Sequence, residues 1–185
     1  MINELIMEDC REEFVLYKSY KGGGKVFLMK GLDKSKPDFN DILTIASEFA
    51  RQGYVSHVVT PVHYKDKLYG KIFRMLIGTR YYRKCPDLIV DGICYEYESF
   101  VRPWTKRKMS NMLSNGLKQS NYIIVDNNKG GSDRFLRRMV ISRIKIGSQI
   151  QEVWVYEKGI RCKSMCLSIY FSKSEQKVFN IRHTS

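Results

Sequence analysis

The chain has no uninterrupted run of about 18 apolar residues, the length that a membrane-spanning helix needs, so we expect no transmembrane segment. Its first residues, MINELIMEDCREEF, are acidic and lack the basic start and apolar centre of a secretory signal peptide. Five cysteines, an odd number, fit a reducing compartment better than a disulfide framework. These absences together predict a cytoplasmic protein.

Metal-binding patterns are also scarce. The only histidines are His57, His63 and His183, which are too widely spaced to form a ligand cluster. Cys162 and Cys166 are four residues apart, and no second pair of Cys or His lies near them to complete a zinc site. We therefore expect no zinc.

Acidic residues are few compared with basic ones, and the imbalance is uneven. The formal net charge is +13. Residues 1–53 contain 8 Lys and Arg against 9 Asp and Glu, whereas residues 54–185 contain 24 against 10. A basic surface of this size attracts polyanions, most often nucleic acid or an anionic membrane, although solubility alone is the other explanation. We expect nucleic acid as the partner.

Helical and strand patterns alternate from residue 38 onward, which predicts an α+β domain with a central mixed sheet and helices packed on it. Before that point, two β-rich runs flank Gly22–Gly24 and predict a hairpin. The pattern thus divides the chain into an N-terminal extension, residues 1–37, and a main domain, residues 38–185.

Residues 64–84 are basic and poorly patterned. We expect a long loop there, with some helix or strand near residues 72–77, and long loops in compact domains are often functional. Tyr81, Tyr82 and Trp104 lie near basic clusters and are candidates to stack on unpaired bases, although such aromatics more often fill the core.

The stretch CPDLIVDGICYEYES, residues 85–99, contains the strongest local signal. Its Asp91-Gly92 pair predicts a two-residue type I′ turn between two strands, which sets the hairpin at residues 87–98. Strand alternation then gives a core face. That face contains Leu88, Val90, Ile93, Tyr95 and Tyr97. The opposite face, expected on the solvated side of the sheet, contains Asp87, Ile89, Cys94, Glu96 and Glu98.

This register predicts that Asp87 lies directly across from Glu96, with Glu98 next on the same face. Like charges in that arrangement cost a few tenths to about 1 kcal/mol. A divalent metal, a cluster of Lys and Arg, or a retained proton could offset the cost. The alternative is an acidic face whose charges are screened by water.

Two predicted helices carry exposed cations. WTKRKMSNMLSNGLKQS places Met109, Met112 and Leu113 inward but has three cations in its first turn, where the helix dipole disfavours them and favours an anion. RFLRRMVISRIKI has arginines on its solvent side, Arg143 among them. The candidate nucleic-acid ligands are Arg102, Lys106, Arg107, Lys108, Arg134, Arg137 and Arg138.

Four segments, QGYVSHVV, CPDLIVDGICYEYES, GLKQSNYIIVD and IQEVWVYEKG, occur in an order that resembles bacterial toxin and phage nuclease domains. The nearest of these are the tRNA nuclease domains at the C-termini of contact-dependent inhibition toxins, in the barnase–EndoU–colicin–RelE-like class. The resemblance covers residues 38–160. It implies an endoribonuclease acting on tRNA, without a metal cofactor, with an immunity or inhibitor protein as a possible partner.

In that class a base takes the proton of the 2′-hydroxyl, and cations stabilise the charge that develops on the phosphate. The resemblance implies Glu96 or Glu98 as the base, with His57 as the alternative. Lys118, Arg102, Arg134 or Arg138 would supply the positive charge, and Asp87 and Gln119 complete the candidate catalytic set. Each also has a structural explanation: Lys118 as an exposed helix end, Gln119 as a surface amide and His57 as a core histidine.

The same hairpin resembles, more weakly, the PD-(D/E)xK nuclease core. There Asp87 and Glu96 would hold Mg²⁺ for cleavage of DNA. The lysine expected two residues after the second acid is replaced by Glu98, so Lys118 would have to take its place. A third possibility is a catalytically degenerate protein that keeps a nuclease-like fold and binds nucleic acid.

Overall fold

The computed structural model describes residues 10–100, 103–157, 165–170 and 178–183, the last two ranges by their backbone alone. Its strands are β1 (Phe14–Ser19), β2 (Lys25–Met29), β3 (Val55–Val58), β4 (Leu88–Val90), β5 (Ile93–Glu98), β6 (Tyr122–Asp126), β7 (Glu152–Tyr156), β8 (Met165–Tyr170) and β9 (Val178–His183). Its α-helices are α1 (Phe39–Arg51), α2 (Lys67–Ile72), α3 (Lys106–Gly116) and α4 (Asp133–Lys145). The predicted α+β class is confirmed. No helix in the described part of the chain combines the length and apolar character of a membrane span.

The chain forms two compact units, residues 1–95 and residues 96–185, which we describe separately. The division falls within β5, whereas the sequence pattern suggested residue 37. The hairpin predicted around Gly22–Gly24 is confirmed as the antiparallel pair β1 and β2, and β2 also pairs in parallel with β3. The hairpin is therefore part of the sheet of the first unit.

In the first unit the strand order is β1-β2-β3-β4-β5, and the sheet is mixed because only β2 and β3 are parallel. One face is covered by α1, whose apolar residues at 3.6-residue spacing, including Ile45, Ala46 and Phe49, are buried. Gly24 allows a close approach of this helix, since a Cβ atom there would lie 1.9 Å from the carbonyl oxygen of Ala50.

The hairpin of β4 and β5 has the predicted register, with Leu88 opposite Tyr95, Ile89 opposite Cys94 and Val90 opposite Ile93. Asp91 and Gly92 have φ angles of 44° and 79°, as a type I′ turn requires. The Asp91 carboxylate also accepts a hydrogen bond of 2.8 Å from the backbone N–H of Val55, which joins the turn to β3.

The expectation that the second face of this hairpin is solvated is wrong for Ile89 and Cys94, which are 0% and 5% exposed. Residues 64–84 form α2 and a 3-10 helix at Arg74–Leu76 instead of a long loop, and no strand occurs there. Their side chains, including those of Tyr69, Ile72 and Phe73, pack with Ile89 and Cys94 in one hydrophobic cluster. Burial raises the pKa of the Cys94 thiol to about 12, so this cysteine stays protonated.

In the second unit β6 and β7 are parallel, and the antiparallel strands β8 and β9 follow β7 in the sheet. Helices α3 and α4 bury their apolar residues against β6 and β7, with Met109, Met112 and Leu113 inward as predicted. Arg143 is half-buried rather than on the solvent side. Its guanidinium donates hydrogen bonds to the carbonyl oxygen and the hydroxyl of Ser110, which joins the two helices.

Candidate functional site

Two of the predicted carboxylates, Glu96 and Glu98, lie at the end of β5 in the second unit, and both are half-buried. They are two residues apart on one strand, so their side chains leave the same face. Tyr97 between them is buried, and its hydroxyl donates a hydrogen bond of 2.7 Å to Oδ2 of Asp126 at the end of β6. The end of β5 is thereby held to β6.

Glu98 lies against the C-terminal turn of α3. A Cβ atom on Gly116, the last residue of that helix, would lie 3.1 Å from Cγ and 3.3 Å from Oε1 of Glu98. A larger residue at this position would push the carboxylate away. The carboxyl end of a helix carries partial negative charge, so a carboxylate held there favours a nearby cation.

Lys118 and Gln119 occupy the turn that follows directly. The backbone N–H of Gln119 donates to the carbonyl oxygen of Gly116 at 2.8 Å, which fixes the turn on the end of the helix. Lys118 is exposed, and its Nζ donates to Oδ1 of Asn115 at 3.1 Å. Gln119 is half-buried, and its buried Oε1 has no hydrogen-bond partner among the described residues. The second unit thus brings Glu98 to Gly116 at the end of α3, two and three residues before Lys118 and Gln119.

A buried polar network that the sequence analysis did not assign to the site lies at the carboxyl ends of β6 and β7. Asn127 accepts hydrogen bonds from Nε1 of Trp104 at 2.9 Å and from the N–H of Gly131, and it donates to Oε1 of Glu157 at 2.6 Å. Asp126 accepts from Tyr97 and from the N–H of Asn128. The signal in the sequence was VDNN directly after a buried apolar run, since polar groups at such strand ends often converge. Two of the aromatic residues that the sequence suggested for base stacking are partly or fully buried. Trp104 is half-buried and held by its hydrogen bond to Asn127, and Tyr81, at 8% exposure, is a core residue.

The predicted nucleic-acid ligands lie on α3 and α4. Lys106 and Arg107 are exposed in the first turn of α3, which Thr105 caps by accepting from the N–H of Lys108. Arg134 and Arg138 are exposed on α4, and Arg137 is half-buried. Arg102 lies outside the described residues. The 11 residues of α3 separate the cations at its start from Glu98 at its end by about 16 Å, at 1.5 Å per residue.

His57 and Asp87 belong to the first unit. The imidazole of His57 stacks on Phe27 at 5.0 Å and meets the edge of Phe14 at 4.9 Å between ring centroids. Burial lowers the pKa of His57 to about 4, so the ring is neutral at pH 7, and its Nδ1 has no partner in the part of the chain described. These surroundings favour the structural explanation for His57.

Asp87 is half-buried and precedes β4 by one residue, just beyond the last register pair, Leu88 with Tyr95. Its placement opposite Glu96 stays a prediction.

Within the described residues, no group of three or more His, Cys, Asp or Glu side chains is arranged to hold a metal ion. Magnesium is often held by only one or two carboxylates, so the Mg²⁺ hypothesis also stays a prediction.

Comparisons of the chain with protein-family models, with curated proteins and with solved structures found no significant match in any of the three. The resemblance to nuclease toxins therefore depends on the sequence motifs alone and stays a prediction.

Proposed function

We propose that this protein is an endoribonuclease, with tRNA as its substrate class. The observation that carries the proposal is the placement of Glu98 against Gly116 at the end of α3, directly before the turn of Lys118 and Gln119. A carboxylate and a lysine are the two groups that cleavage at a 2′-hydroxyl needs, one to take its proton and one to stabilise the charge on the phosphate.

In this proposal Glu96 or Glu98 is the general base, and Lys118 stabilises the developing negative charge. Gln119 lies in the same turn as Lys118, and we assign it the role of positioning that turn, since its backbone N–H donates to the carbonyl oxygen of Gly116. The cations at the start of α3 lie too far from Glu98 for the reaction itself. They would bind phosphates that flank the cleaved bond.

Incubation of the purified protein with total tRNA and with plasmid DNA, each with Mg²⁺ and with EDTA, tests the proposal. We expect tRNA to be cut in both buffers and the plasmid to stay intact. Plasmid cleavage that EDTA stops would favour the magnesium-dependent alternative with Asp87 and Glu96. Salt-dependent binding without cleavage in any buffer would favour a degenerate nucleic-acid-binding protein.

Substitution of the acids identifies the base. Removing a general base lowers the rate about 100-fold to 10,000-fold, and we expect this for either Glu96→Gln or Glu98→Gln. Glu152→Gln is the matched control, because Glu152 is a half-buried glutamate of the same unit on β7. Equal cleavage by both site variants and the control would refute the assigned chemistry. The inhibitor protein and the cytoplasmic location stay predictions.

A further inference from the structure

A second group of basic and aromatic side chains lies in the first unit, on the segment between β3 and β4. The guanidinium carbon of Arg83 lies 4.5 Å from the ring centroid of Tyr64 and 5.6 Å from that of Tyr82. The two rings meet edge to face at 6.2 Å. We call Arg83, Tyr64 and Tyr82 the Arg83 cluster.

The cluster is open to solvent. Arg83 is exposed, and Tyr82 leaves 40% of its surface accessible. Nζ of Lys65 lies 6.0 Å from the Tyr64 ring and adds a second cation. Residues 60–86 contain seven Lys and Arg but a single acid, Asp66, whose carboxylate is occupied in capping α2. Lys71 of this segment forms an ion pair with Glu12, whereas Arg83 and Lys65 lie on tyrosine rings, so the cluster combines aromatic surface with positive charge.

The backbone at this point is held in an unfavourable conformation. Arg83 has a φ angle of 73°, in the left-handed region where a residue with a Cβ atom is strained and glycine is favoured. The hydroxyl of Tyr69, a residue 1% exposed, accepts from the N–H of Arg83 at 2.8 Å and donates to the carbonyl oxygen of Lys84 at 3.0 Å. A core residue thus holds the turn. Backbone strain of this kind occurs most often at functional sites, so an arginine at a position that favours glycine suggests a functional role for its side chain.

The geometry points to unpaired nucleic acid as the ligand of this cluster. We propose that the face of Tyr82 stacks on an unpaired base and that Arg83, oriented by the tyrosine rings, binds the adjoining phosphate. Aromatic rings beside cations are the usual means of binding single strands, because every base presents a stacking face. An acidic protein would use the cations but would gain little from the exposed ring. The inference rests on the proposed function, since it takes nucleic acid as the substrate class.

Fluorescence anisotropy with a labelled oligothymidylate of about 10 nucleotides, a length within the range of known single-strand sites, tests the inference. This probe lacks the 2′-hydroxyl that the proposed reaction attacks, so it persists during the measurement. We expect Tyr82→Leu and Arg83→Gly each to weaken binding about tenfold, the usual effect of losing one stacked base. Arg83→Lys keeps the charge but not the planar group, and we expect it to weaken binding as well.

Two matched controls come from the same unit. Lys67→Ala removes an exposed cation of the same segment, and Tyr54→Leu removes a tyrosine that is also 40% exposed. We expect the first to weaken binding only slightly, through the loss of one charge, and the second to have no effect. Circular dichroism of each variant verifies its fold, and the independent substitutions at positions 82 and 83 keep the test decisive if one variant misfolds.

Three outcomes would overturn the inference. The Arg83 and Tyr82 variants could bind the probe as tightly as their controls do. Alternatively, their loss of affinity for a duplex of the same length, or for polyglutamate, could be as large as their loss of affinity for the single-stranded probe. The first outcome with tRNA cleavage intact would refute this site alone. Weakened oligonucleotide binding by these variants, in a protein that never cuts tRNA, would support this site and refute the proposed ribonuclease.

Discussion

The two units of this protein differ in the surroundings of their charged and polar side chains. In the first, cations lie on aromatic rings, as Arg83 does on Tyr64 and Arg51 on Tyr20, and the one buried histidine is kept neutral. In the second, acidic side chains accept hydrogen bonds at strand ends. Asp126, which is 4% exposed, accepts from Tyr97 and from the N–H of Asn128. On this difference we place the proposed binding surface in the first unit and the proposed chemistry in the second.

The largest effect that separates the units is expected for Gly24→Ala. The new Cβ would lie 1.9 Å from a backbone oxygen of α1, which cannot move without displacing the helix. We expect a loss of about 3 kcal/mol or more in the free energy of unfolding. Hydrogen exchange followed residue by residue should show lower protection in β2 and α1, with protection in β6 and β7 retained.

Gly70→Ala is the control for this prediction, because nothing lies within 4 Å of a Cβ at Gly70 in α2. We expect it to stabilise the protein by about 0.5–1 kcal/mol, the gain of alanine over glycine in a helix. Equal loss of protection in both units after Gly24→Ala would show that they unfold together and would remove the basis of the comparison.

The next effect concerns the response to acid. Folding lowers the pKa of His57 from 6.5 to about 4, so between these values the unfolded chain binds a proton that the folded chain does not. Above pH 6.5 His57 therefore does not reduce the free energy of unfolding. As the pH falls from 6.5 toward 4, protonation of the unfolded chain at this residue lowers the free energy of unfolding by roughly 3 kcal/mol. Urea denaturation of the wild type and of His57→Phe, which removes the ionisable group from its site between Phe14 and Phe27, measures the contribution.

We expect the His57→Phe variant to lose less stability than the wild type over this interval. His63→Gln, at an exposed histidine of the same unit, should behave as the wild type. An unchanged pH dependence in His57→Phe would contradict the assignment of His57 as a neutral core residue. It would also reopen the alternative that His57 acts as a base.

A smaller effect is expected in the second unit for Tyr97→Phe. The substitution removes a buried hydrogen bond to the carboxylate of Asp126, and such bonds contribute about 2 kcal/mol. We expect that loss in the free energy of unfolding, and also a fall in tRNA cleavage, because Tyr97 holds the strand segment between Glu96 and Glu98. Tyr54→Phe, in the first unit, should change neither property, and equal effects of the two substitutions would contradict the network.

Much of the fold was predictable because its signals are local. The apolar spacing predicted α1, α3 and α4 and the inward face of α3, and Asp91-Gly92 predicted the hairpin with its register. The prediction was incomplete at residues 64–84, where a long loop with some helix or strand near residues 72–77 was expected. Their apolar residues are spread over a short helix and a 3-10 turn, which are too short for a clear period, so the covering of Ile89 and Cys94 was missed.

The sequence by itself determined the basic charge, the helices α1, α3 and α4, the type I′ turn and the presence of three carboxylates in one hairpin, because each depends on neighbouring residues. Tertiary structure alone decided that Glu98 lies against Gly116, that Asp126 and Asn127 join a buried network, and that Arg83 rests on two tyrosines above the hydroxyl of Tyr69. Apart from the contact of Arg83 with its neighbour Tyr82, these contacts join residues 14 or more positions apart. Their formation depends on how close folding brings distant elements, and no periodicity or spacing in the chain encodes that distance.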